Sequence, residues 1–181
     1  INGGYGLYSP SVNSSQTSRL KLMKSVEATL IEDIYYGWNT TLNNDTPKKE
    51  RKIMLSAVKF AQKNKVPVFN IEYCNGKKAT KAKEKSKEIG TICYPAPSVE
   101  LNKIPSKKGS EKDVTDIKKV KKYLVLLNPD NYKKKSDYFK ALKETNYDMI
   151  IIDAYYDGKI LTKKEVDSLK KKKNGKKRLT T

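Results

Sequence analysis

The chain contains no histidine, which removes at once the imidazole general base, the His-dependent triads and the histidine metal centre. Cysteine is almost as scarce. Cys74 and Cys93 stand alone, too few to close a zinc site, and they lie near the ends of neighbouring predicted strands, where two buried thiols are favoured over a disulfide. Only Arg19, Arg51 and Arg178 are arginine among 39 basic residues. The planar forks that read phosphate and guanine are therefore nearly missing, despite a formal charge of +19. No apolar run approaches the ~20 residues of a membrane span, and no signal peptide is recognisable. Hydrophobic residues make up 36%, below the usual figure of about 45–50%. With 181 residues the chain has room for one domain or a large part of one, with a lean core.

What is present is organised. The lysines cluster at 48–52, 77–88, 103–122, 133–135 and 163–178, on predicted helix faces and in linkers, and read as solvated surface with a general attraction to anionic polymers or membrane surfaces. The apolar residues gather into short β-branched runs, the mark of strands buried on both faces. Ala28–Ile31, Val66–Tyr73, Thr91–Pro95, Tyr123–Asn128 and Asp148–Ala154 are predicted strands. Helices alternate with them. One starts at Thr46 as N-cap with Pro47 and Glu50 behind it, one ends at Gly90, and one opens on a Thr162/Glu165 capping box. The Lys-rich stretch 101–122, broken by Pro105 and Gly109, reads as a linker. The expected organisation is 1–100, a linker at 101–122, and 123–181.

Five strands alternating with helices predict a parallel sheet. The strand ends carry acids and aromatics. Glu32 is followed by Tyr36 and Trp38, Glu72 ends the second strand, and Asp153 is followed by Tyr155 and Tyr156. Carboxylates supply acid, base or charge stabilisation, and flat rings stack on pyranose faces. At the carboxyl ends of parallel strands such residues converge on one site.

Several segments resemble glycoside hydrolase family 114, the family of endo-α-1,4-polygalactosaminidases and relatives labelled cysteinyl-tRNA-synthetase-related. MIIIDAYYDGKILTKKEVDSLKKKKNGKKRL (149–179) is similar to its second strand and helix, and VEATLIEDIYYGW (26–38) to its later strand ending in Glu. VPVFNIEYC and TICYPAPSVELNKIP look like its last two strands, and INGG like the loop before them. The order departs from the family, because late-barrel elements come first. The resemblance implies an α/β fold: an incomplete or circularly permuted arc of a (β/α)8 TIM-like barrel, or a slice across two tandem barrels. A complete barrel takes ~250 residues.

The resemblance further implies action on an extracellular or cell-envelope polysaccharide. Glu32 would be the acid/base, Asp153 the supporting carboxylate of the catalytic set, and Tyr36, Trp38, Glu72, Tyr155 and Tyr156 the substrate-binding residues. The family's second catalytic carboxylate has no counterpart here, so turnover by the chain is an open expectation. No cofactor, metal or specific nucleic-acid partner is expected. The alternatives are a non-catalytic carbohydrate-binding or surface-interaction module, and a lysine-driven binder of anionic polymers. A cationic polygalactosamine would be repelled by a +19 chain, so a neutral or anionic glycan fits better.

Overall fold

The computed structural model describes residues 4–181; most of the INGG segment, residues 1–3, lies outside the described residues. The chain divides into two compact units, the first reaching Val99 and the second running from Glu100 to Thr181.

In the first unit, α1 (Gln16–Ser25) leads into β1 (Thr29–Glu32), followed by α2 (Lys48–Lys63), β2 (Val68–Tyr73), α3 (Gly76–Glu88) and β3 (Ile92–Ala96). The strands pair in parallel in the order β1-β2-β3, with Glu32 beside Ile71 and Asn70 beside Cys93. All six β2 residues are buried, as a central parallel strand covered on both sides requires. On α2, Met54, Ala57, Val58 and Ala61 are buried, one apolar stripe at helical spacing. They join Ile31, Val68 and Cys74 in the unit's core. Pro47, not Thr46, caps this helix. The Thr46 hydroxyl is committed elsewhere, donating to the Asp33 carbonyl at 2.6 Å.

In the second unit, β4 (Tyr123–Leu126), β5 (Met149–Ile152) and β8 (Leu179–Thr180) pair in parallel, again in chain order. Between them lie α4 (Lys135–Lys143), a small hairpin of β6 (Tyr155–Tyr156) and β7 (Lys159–Ile160), and α5 (Lys163–Ser168). The expected capping box at Thr162 and Glu165 is formed. Asp157 and Gly158, both at positive φ, supply the tight turn of the hairpin. Leu124, Leu126, Leu142 and Ile150 are fully enclosed, each contributing about 2 kcal/mol of burial.

The stretch read as a linker belongs to this second unit. Leu101, Val114 and Val120 are buried, and Ser110, Asn146 and Val114 exchange backbone hydrogen bonds with Asn146, Lys107 and Lys177. Gly109 is needed because a Cβ there would overlap the Asn146 backbone.

The fold is therefore α/β with parallel sheets, and no closed barrel is formed by the strand pairings among the described residues. Among the described residues no helix is long and apolar enough to cross a membrane.

Candidate functional site

The β1–α2 loop, residues 33–47, folds over the carboxyl ends of β1 and β2. Its backbone runs on as an extra ladder: Tyr73 N donates to Tyr36 O at 3.1 Å, Gly37 N to Asn44 O at 2.7 Å, and Thr46 N to Tyr35 O at 3.0 Å. Beneath it sits Glu72, fully buried. One Glu72 oxygen, Oε2, accepts the backbone N–H groups of Tyr35 and Tyr36 at 2.9 and 2.8 Å. The other, Oε1, accepts Asn70 Nδ2 at 2.8 Å, and that amide also donates to Ser86 Oγ on α3. Burial pushes the Glu72 carboxyl up to about 7, while these three donors pull the other way. Glu72 thus holds the loop in place.

Strand alternation separates the two glutamates. Glu32 is paired with Ile71, so its side chain shares a face with Ile71 and Tyr73, whereas Asn70 and Glu72 point to the opposite face, towards α3. On its own face Glu32 accepts the Tyr73 phenol at 2.6 Å, Oη to Oε2. Burial, followed by this hydrogen bond and the charges of Glu32 and Asp33, raises the Tyr73 phenol above its ordinary value, which keeps it a proton donor.

Asp33 comes next, at φ +58°, a left-handed turn that aspartate tolerates better than most residues. Its Oδ1 is enclosed and has no hydrogen-bond partner among the described residues. Burial, with the neighbouring Glu32 second, lifts its carboxyl to about 7. Gly37 (φ +119°) makes the arrangement possible, since a Cβ there would overlap Asp33 Oδ1 and lie 2.8 Å from the Tyr73 ring. Sequence reading missed both Asp33 and Tyr73 as members of this site. The adjacent acids Glu32-Asp33 and the Tyr73 at a strand end were signals available for them.

The aromatics take other places. Tyr36 is buried, with the ammonium groups of Lys78 and Lys85 5.0 and 5.1 Å from its ring centre and Lys85 donating to its hydroxyl. Trp38 is half-buried in a 3-10 turn and packs on the core. In the second unit, Asp153 is exposed and its Oδ1 accepts the Tyr155 N–H at 2.9 Å. Tyr156 donates its hydroxyl to Tyr132 O. Tyr155 is 54% exposed, opposite Ile160 on the hairpin. The structure therefore gathers Glu32, Asp33 and Tyr73, while Glu72 lies on the opposite face of the sheet and Tyr36 is buried.

Both cysteines are free. Cys74 and Cys93 lie on one face but four residues apart in register, about 13 Å along the strands. Burial pushes both thiols up to about 12, so neither is a ready nucleophile. Among the described residues no three His, Cys, Asp or Glu side chains form a metal-holding group.

No family model, curated protein or solved structure matches this chain.

Proposed function

We propose that the chain forms an arc of a polysaccharide-acting β/α barrel in which Glu32 is the acid/base. The observation that carries this reading is the Glu32–Tyr73 contact at 2.6 Å, at the carboxyl end of a parallel strand and on the face away from the helices. Parallel strands in chain order within each unit fit a barrel arc, as they also fit each half of a doubly wound sheet. In this reading Glu32 gives a proton to the glycosidic oxygen as the bond to the leaving sugar breaks, water adds to the anomeric carbon, and the proton that water releases restores the acid. Tyr73 holds its carboxyl group in place, and Asp33, its own carboxyl raised to about 7, stands beside it. Asp153 and Tyr155 belong to the second unit, where the exposed Tyr155 ring offers a face to a sugar by itself. The setting is the cell envelope or its exterior.

A second reading has its own support. Glu72, the other strand-end glutamate of the first unit, is enclosed and committed to the loop, which favours a site that binds glycan without cleaving it. Release of reducing ends from a panel of neutral and anionic polysaccharides separates the two. Turnover by the native chain and its loss in Glu32→Gln is the expected outcome. Equal rates from both proteins would remove the catalytic assignment, and retention of glycan without turnover would select the binding module.

A further inference from the structure

Helix α2 carries a groove on its outer side that the site above does not use. Its volume is about 620 Å³, its lining includes Lys48, Lys52, Lys59 and Lys63, and among the described residues no carboxylate lines it. These four lysines are exposed and recur at i, i+4, i+11 and i+15, along one face of the helix over about 22 Å. Leu55 and Phe60 form the floor between them, and Pro10 and Ser11 make the opposite wall. That wall is anchored: Ser9 Oγ donates to Ile53 O at 3.0 Å, and Tyr8 is fully buried in the core.

What marks the groove is the run of lysines along one helix face with no carboxylate in the lining among the described residues, since most lysines of the chain form no ion pair there. Lys78, Lys135, Lys163, Lys170, Lys172 and Lys173 each meet a carboxylate within 3.0 Å, whereas none of the four groove lysines takes part in an ion pair among the described residues. Like charges at i, i+4 repel, costing an isolated helix a few tenths of a kcal/mol per pair. The helix carries two such pairs, Lys48/Lys52 and Lys59/Lys63, and a bound polyanion would relieve both. Field lines are also concentrated in a concave cationic slot.

We infer that this groove is a binding track for an extended anionic polysaccharide, bearing carboxylates or sulfates, with Lys48, Lys52, Lys59 and Lys63 on the anions and Leu55 under the apolar ring faces. Nucleic acid fits less well. The one arginine in the lining, Arg51, is engaged with Thr46 O at 2.8 Å and lies over the Tyr35 ring. Phe60, the one ring present, has the Arg19 guanidinium 5.1 Å from its centre, which leaves no open platform for bases. A flat bilayer would touch the rim and miss the floor. The track goes beyond the acid/base reading of Glu32, and it predicts binding whether or not any bond is cleaved.

The test is titration of the full chain with polyuronate oligosaccharides. Uncharged dextran, single- and double-stranded oligonucleotides and phosphatidylserine vesicles serve as comparison ligands. Lys52→Gln/Lys59→Gln/Lys63→Gln should weaken polyuronate binding about tenfold. A control of equal charge change on exposed α3 positions, Lys77→Gln/Lys81→Gln/Lys87→Gln, should stay within about twofold. Glu32→Gln should bind normally. Equal weakening by both triple variants, or no polyuronate binding at low salt, would overturn the track. So would loss of binding in Glu32→Gln with the lysines intact, since the ligand would then lie at the strand ends. Tighter capture of oligonucleotides or vesicles through the same lysines would overturn the assignment to polysaccharide. Removing repulsive pairs should not unfold α2, and circular dichroism of each variant checks that.

Discussion

At the scale of single residues, Glu72 is held by three donors on two oxygens, two of them backbone amides that no side-chain change can withdraw. Glutamine in its place has one acceptor where the carboxylate has two, and its own NH2 would meet the donors of Asn70 or of the Tyr35–Tyr36 backbone. Leaving a buried donor unmatched costs about 1–3 kcal/mol. Glu72→Gln is therefore expected to lower the denaturant midpoint by a corresponding amount and to raise amide exchange in residues 33–47. Unchanged exchange there would show that the loop stands without it. Glu32 was singled out by its place at a strand end. That Glu72, in a similar place, faces the other way follows from the register of β1 against β2, and register is a tertiary property.

At the scale of elements, the second unit is tied together at the amino ends of its strands. Asp148 and Lys172 form an ion pair at 2.7 Å with both side chains fully enclosed. Lys172 also donates to Ser110 Oγ and to the Ser110 and Lys112 carbonyls. Asp148 accepts the Ser110 hydroxyl and the amides of Lys121 and Lys122. Arg178, also buried, joins the element ends nearby, reaching Leu169 O, Thr145 Oγ1 and Leu142 O. Breaking a buried pair by removing one partner costs about 3–5 kcal/mol, so Lys172→Met should destabilise the chain by that order in urea unfolding. Lys172→Met/Asp148→Asn should recover part of it, because no charge is left alone. Additive losses in the double variant would show that the two groups do not act as a pair. In sequence Lys172 is one lysine of a solvated run. Only the fold of residues 106–114 over the β5 and β8 ends buries it.

At the scale of the whole molecule, the carboxyls pull stability in opposite directions with pH. Asp33 and Glu72 are raised to about 7 in the fold. What they contribute is complete below their unfolded values and is lost as pH rises towards 7. For Asp148, burial alone would raise the carboxyl, but its bonds to Lys172, Ser110 and two amides outweigh burial and lower it. Its contribution is present above the ordinary carboxylate range and is lost as pH falls through its folded value. Glu165 and Asp167, lowered to about 2 by their lysine partners, act in the same direction. The denaturant midpoint should therefore be highest near about pH 4, and lower at both about pH 3 and about pH 8. A midpoint rising steadily from 5 to 8 would contradict the assignment for Asp33 and Glu72.

The amino-acid sequence by itself determined the parallel α/β class, the positions of the buried strands, the Thr162/Glu165 cap and the strand-end acids. These depend on local periodicity and on short-range hydrogen bonds, which a few neighbouring residues specify. Tertiary structure decided the rest: that Gly109 and the 101–122 stretch belong to a packed unit, that Lys172 is enclosed, that Tyr36 lies beneath lysines, and that Tyr73 and Asp33 share a site with Glu32. Each of these is set by a contact between residues far apart in the chain, and composition and spacing carry no record of who faces whom.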